Sequence, residues 1–327
     1  RQMCIRDRLV IGGTNMYYIG IDIGGTGIQA GIVDKEGKIL YRKECATDVE
    51  NGFDKVMEDI NILVRSLLKE NDIQMKDVKS IGCGVPGFIN KKGQVTCVNL
   101  GWKSQDFINT LQSKFEDVKV YAENDATVAA LAEAKVGSMK GCDVGVMYTL
   151  GTGVGGGIII NGEVFSGAHN MGSELGHVIV DSNYYDCSCG NNGCLETFCS
   201  ATAIIKYARK LIQEGKGSKI LSLVNNRLDD ITAKHVFDAY RENDEVAIET
   251  INRFKDYLAK SIAAIINTID PEVISIGGGV SRSGDIILDG LNDTIKKYVV
   301  FKDEEFADIV IATLSADAGI VGAAFLS

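Results

Sequence analysis

Between residues 174 and 196 the chain carries Glu174-Leu-Gly-His177 and then Cys187-Ser-Cys189-Gly-Asn-Asn-Gly-Cys194-Leu-Glu196. One histidine and three cysteines in so short a segment supply the Cys3His ligand set of a closed structural zinc site. The spacing is C-x-C-x4-C, without the paired C-x2-C of a ribbon, so the metal is expected to tie down a loop and not to nucleate a finger. A lone histidine on an apolar strand would read as a core residue. Three nearby thiols decide the matter for His177, and His169 and His235 have no such company. Glu174 and Glu196 flank the ligands as carboxylates that zinc does not need, and burying a carboxylate without a partner is costly. On a metal-tied loop they suit a ligand with several hydroxyls, because each can accept bidentate hydrogen bonds.

Three glycine turns could approach phosphates. Asp22-Ile-Gly24-Gly25-Thr26 sets a carboxylate at the end of an apolar run, beside backbone amides that no Cβ shields. An ordinary hairpin turn has the same composition. Leu150-Gly151-Thr152-Gly153-Val-Gly-Gly-Gly157 holds more glycine than a hairpin needs and reads as a phosphate cradle. Gly277-Gly278-Gly279-Val-Ser281 offers a backbone surface for an adenosine moiety, or a plain strand-to-helix turn. Asn124-Asp125 opens a helix directly after a strand. Asp125 there can cap the helix, or can take a hydroxyl proton while a phosphoryl group arrives in line.

The elements that must position these residues repeat. Residues 17–22, 28–33 and 39–43 read as a three-stranded meander. Phe53, Val56, Met57, Ile60, Leu63, Val64, Leu67 and Leu68 then mark one helix face. Strands follow at 80–85 and 119–122, with an alanine-rich helix at 126–135. A second series has strands at 144–150 and 156–160, a tight turn at Asn161-Gly162, a helix from about 245 to 268, strands at 273–276 and 308–311, and a last helix from Ala316. Strand, glycine turn, strand, hairpin, then helices and strands in alternation thus occur twice. That predicts a duplicated α/β fold whose halves bracket a nucleotide in a central cleft. The expected division is a small domain of residues 16–125 plus 315–327 and a large one of 126–314, hinged near Asn124 and Ser315. Residues 1–15 have no helical or strand period and precede Met16, so they read as a non-native leader.

Composition narrows the partners. Against 34 Lys+Arg stand 44 Asp+Glu, a formal charge of −10, which opposes nucleic acid as a partner. No apolar run is long enough to span a bilayer and residues 1–15 lack the apolar centre of a secretory signal, so a cytoplasmic location is expected. Nine cysteines make an odd count. Cys4, Cys45, Cys83, Cys97 and Cys142 are scattered and read as reduced thiols, with Cys199 as one more.

In order and at spacing, these motifs resemble the ROK family of sugar kinases and repressors from Met16 onward. Val98-Asn-Leu-Gly-Trp102 and Gly193-Cys-Leu-Glu-Thr197 are most similar to its bacterial glucokinases. Leu175 stands where isoleucine is common. The resemblance implies an actin-like ATPase (ribonuclease H-like) α/β fold, a homodimer, a structural zinc ion, and ATP with magnesium. It makes Asp125 the base for the 6-hydroxyl of glucose, with Asn124, Glu174, His177 and Glu196 on the other hydroxyls and Gly87 on a nearby loop. It turns Asp22, Gly24, Gly25 and Thr26 toward magnesium and phosphates, with Gly151, Thr152 and Gly153 completing the cradle and Gly278 and Gly279 beside the adenosine. His177 would serve zinc with one ring nitrogen and the sugar with the other, alongside Cys187, Cys189 and Cys194. A kinase for N-acetylmannosamine or N-acetylglucosamine would use the same motifs. A sugar-sensing repressor would need a helix-turn-helix ahead of residue 16, more than fifteen residues hold.

Overall fold

The structure, a computed structural model, describes residues 16–326; the expected leader at 1–15 lies outside them. The first half runs β1 (Tyr17–Ile23), β2 (Gly27–Val33), β3 (Ile39–Ala46), α1 (Gly52–Glu70) and β4 (Val78–Val85). A small antiparallel sheet follows, of β5 (Phe88–Ile89), β6 (Gln94–Cys97) and β7 (Trp102–Asp106), and then β8 (Lys119–Asn124) and α2 (Asp125–Val136). The second half runs β9 (Val144–Leu150), β10 (Val154–Ile160), β11 (Glu163–Val164), α3 (Ala201–Gln213), α4 (Ala233–Arg241), α5 (Glu245–Ile269), β12 (Val273–Gly277), β13 (Asp308–Ile311) and α6 (Ala318–Ala324). The last helix begins two residues later than expected, because Ser315–Asp317 wind as a 3-10 turn.

Duplication is explicit in the sheets. One has strand order β3-β2-β1-β4-β8 and the other β11-β10-β9-β12-β13. In each, the first three strands are antiparallel and the last two join in parallel. This is the actin-like, ribonuclease H-like architecture, used twice. The buried runs of β4 and β12 follow from helices covering both faces of a parallel strand.

Two helices lie between the sheets and set the cleft. Along α2 nearly every residue from Ala126 to Ala134 is buried, so it has no solvent face, and small alanines let neighbours approach on all sides. Helix α6 rests its backbone directly on β1 and β4. A Cβ added at Gly82 would lie 1.8 Å from the Ala323 carbonyl oxygen, and one at Gly20 1.8 Å from that of Ile320. On the other side, a Cβ at Gly322 would lie 1.9 Å from the Val128 carbonyl oxygen of α2. The helix that begins with Asp125 is therefore wedged against both halves of the molecule.

Candidate active site

The rival reading of Asp125 as a helix cap is resolved by its neighbour. Asn124 is the N-cap of α2, its Oδ1 accepting the Ala126 N–H at 2.9 Å and the Thr127 N–H at 3.3 Å. Its Nδ2 donates to the Gly87 carbonyl at 3.1 Å and so holds that loop against the strand end. Asp125 accepts only the adjacent Ala126 N–H, at 2.8 Å, and makes no side-chain hydrogen bond or ion pair among the described residues. Asp125 is exposed to the cleft, yet partial desolvation by the surrounding protein raises its pKa above the ordinary aspartate range, partly offset by backbone N–H groups. A carboxylate kept without a partner and more basic than usual is suited to accepting a proton.

Asp125 stands where two cavities meet. The smaller, of about 260 Å³, brings together Gly87, Asn124, Asp125, Glu174 and His177 from the sequence-predicted set. Its wall is polar, and burial raises the pKa of Glu174, against the opposing pull of His177. The larger cavity, of about 670 Å³, brings together Asp22, Asp125, Gly151, Gly153, Glu196, Gly278 and Gly279. Gly278 has φ +84°, and a Cβ there would lie 2.5 Å from the Leu150 carbonyl oxygen, so the turn runs backbone against backbone. At the cleft floor, burial and then the Asp125 charge push the pKa of Asp22 up to about 6.

Several expected residues stand elsewhere. Gly24, Gly25 and Thr26 form a closed turn, the Gly24 N–H donating to Gly27 O at 2.8 Å, and neither cavity reaches them. Thr152 is exposed and its carbonyl accepts the Thr202 hydroxyl at 2.8 Å, facing a third hollow behind the turn. Glu196 is absent from the smaller cavity's wall. Its Oε2 accepts the Val154 N–H at 2.9 Å, which braces the glycine turn from the larger cavity's side.

The four residues of the Cys3His set converge. One ligand atom each from His177, Cys187, Cys189 and Cys194 lies within 4.8 Å of the others. His177 Nδ1 is 3.4 Å from Cys187 Sγ, and the sulfurs of Cys189 and Cys194 are 3.6 Å apart. A tetrahedral zinc site with bonds of about 2.3 Å to sulfur has edges of about 3.5 to 3.8 Å, so two of the six edges are already near the spacing the ion requires. The Asn191 N–H lowers the Cys189 thiol to about 7, whereas burial pushes Cys194 up to about 12, a cost that a cation among them would relieve. Asn192 knots the loop, its Nδ2 donating to the carbonyls of Asn183 and Tyr185, each at 3.1 Å.

The profile of the ROK family matches residues 18–327. The chain belongs to the ROK family. Among its ROK relatives, the glucokinase of Thermotoga maritima is 36% identical over 94% of this chain and 95% of its own. That of Halalkalibacterium halodurans is 35% identical over 96% and 95%. A ROK family glucokinase from Streptomyces griseus, solved in complex with glucose and AMPPNP, superimposes with a TM-score of 0.78 at 31% identity, over 94% of this chain and 98% of that one.

Sequence reasoning missed other residues of this ROK site. Glu123 lines the smaller cavity and accepts the Ser166 hydroxyl at 2.9 Å, and Asn170 and Ser173 join it there. No local pattern marks them, since they come from a strand end and an irregular loop. Arg282 and Glu133 line the larger cavity. Arg282 lies just past the third glycine turn, a signal that was available. Against Asp22, Asp125, Glu133 and Glu196 it is the single basic side chain on that wall.

Proposed function

We propose that this ROK protein transfers the γ-phosphoryl group of ATP to the 6-hydroxyl of glucose, giving glucose 6-phosphate and ADP. The observation that carries the reading is Asp125, without a side-chain partner among the described residues, on the wall shared by a small polar cavity and a larger glycine-lined one. Glucose occupies the first, its hydroxyls held by Asn124, Glu174 and His177. The nucleotide occupies the second, its phosphates on the Gly151–153 turn and its adenosine beside Gly278 and Gly279. As the sugar oxygen bonds to the γ-phosphorus, the bond to the β,γ-bridging oxygen breaks, ADP departs and the hydroxyl proton passes to Asp125.

A polyanion entering a cavity that Asp22, Asp125 and Glu196 share with one arginine needs a counter-charge. Asp22, held protonated toward about pH 6 by burial and Asp125, fits a magnesium ion that arrives with ATP. That ion, when bound, supplies charge neutralisation on the phosphates. His177, Cys187, Cys189 and Cys194 would hold a zinc ion, which would have a mechanical part, fixing the ring of His177 so that its other nitrogen could face the sugar. Closure of the two domains (16–125 with 315–327, and 126–314) excludes water that would compete for the phosphoryl group. A cytoplasmic homodimer, carried over from the family, completes the proposal.

A coupled ADP assay with glucose, N-acetylglucosamine and N-acetylmannosamine tests it, with phosphorus NMR on the product. Glucose should turn over best and carry phosphate on O6. Faster turnover of an N-acetyl sugar would move the assignment to that substrate, and no sugar-dependent ADP release would overturn it.

A further inference from the structure

Glu133 lies on α2, eight residues and about 12 Å beyond Asp125 along the helix, and is fully buried at 0% exposure. The mechanism gives it no part. Its Oε1 accepts the N–H groups of Thr313 at 2.8 Å and Leu314 at 2.7 Å, and its Oε2 accepts the Ser138 N–H at 2.6 Å and the Thr313 hydroxyl at 3.0 Å. No cation pairs with it among the described residues. A Cβ at position 137 would come within 2.1 Å of Oε2, so Gly137 leaves the space the carboxylate occupies.

Each bond leads to a wall of the larger cavity. Thr313 and Leu314 connect β13 to residues 315–318, of which Ser315, Ala316 and Ala318 line it. Ser138 bonds through its hydroxyl to that of Ser275 on β12, at 2.8 Å, two residues before the Gly277–279 turn. Removing this carboxylate would strand four donors, and a best-attested use of a buried polar group is to fix one arrangement against others.

We propose that Glu133 is a positioning residue that sets the nucleotide-side segments 277–281 and 313–318 in register with the carboxylate of Asp125. Its kinetic consequences rest on the phosphotransfer reading above; its mechanical part does not. In Glu133→Gln an amide N–H2 must face backbone donors, so at least one of the four bonds is lost. Glucose affinity, followed by fluorescence of Trp102, the sole tryptophan, on the sheet beside the smaller cavity, should stay within about twofold. The KM for ATP should rise about tenfold or more with a fall in kcat, the loss of a buried hydrogen bond to a charged group. In the unliganded protein, amide exchange should accelerate in 277–281 and 313–318 together. Equal loss of sugar and ATP affinity, or faster exchange confined to 313–314 with an unchanged KM for ATP, would overturn the proposal. Should Glu133→Gln fail to fold, Thr313→Ala removes one bond only and should shift the KM for ATP in the same direction by about two- to fivefold. No shift there would overturn it too. If the unaltered protein releases no ADP with any sugar, the phosphotransfer reading fails and the exchange pattern alone decides this one.

Discussion

Replacing Asp22 with asparagine should make the free protein more stable while removing its turnover. The Asp22 carboxylate accepts no hydrogen bond and pairs with no cation among the described residues, and its Oδ2 packs toward the Gly319 backbone, leaving room for an isosteric amide. Burial, then the Asp125 charge, moves its pKa from 3.8 to about 6. The unfolded chain gives up this proton near 3.8 and the folded protein near 6, so between those values the folded state binds more protons. Stability therefore falls as pH rises through that window and stays reduced above it. The gap corresponds to at most about 3 kcal/mol, and solvent reaching the cleft makes about 1 to 3 kcal/mol a reasonable expectation. Urea unfolding at pH 7.5, without nucleotide or added magnesium, should show Asp22→Asn with its midpoint raised by about 0.3 to 1 M. By pH 4 the advantage should vanish, and ADP release should be near background at every pH. Lower stability at pH 7.5, or a gain indifferent to pH, would show that the cleft floor holds no such strained carboxylate.

Two further outcomes follow from the same geometry. Cys189→Ser should lose the bound zinc by elemental analysis and raise the KM for glucose while circular dichroism keeps the native signal; an unaltered KM with zinc demonstrably absent would contradict the tied-loop account. Gly82→Ala should cost about 3 kcal/mol or more, since its Cβ meets a backbone oxygen at 1.8 Å, whereas Gly217→Ala, with open space around it, should leave thermal unfolding unchanged. A Gly82→Ala protein melting like the parent would refute the close helix-on-sheet packing.

How much of this was legible in the sequence depended on how local the signal was. Strands β1, β4, β9 and β12 announce themselves because strands covered on both faces need near-continuous apolar runs, and the repeated glycine turns reveal the duplication. The Cys3His cluster was readable because all four residues fall within eighteen positions. Strands β5 to β7 were not, because β5 has only two residues and β6 and β7 are half polar or more. Glu133 resembles a solvent-facing charge on an alanine helix, and its partners at 313 and 314 are 180 residues away or more. The turn at Gly24-Gly25-Thr26 shows the converse: its composition invites a phosphate, yet the amide of Gly24 is already committed to Gly27. Asn124 taking the cap and leaving Asp125 unpartnered is likewise a matter of side-chain orientation, which residue order does not encode.

The role of Asp125 is tested most directly by a single comparison, steady-state ADP release with glucose for the unaltered protein and for Asp125→Asn, alongside glucose binding read from Trp102 fluorescence. The account predicts turnover reduced by about 10²- to 10⁴-fold with glucose affinity preserved within a few-fold. Turnover near that of the unaltered protein, with the substitution verified by mass, would contradict it.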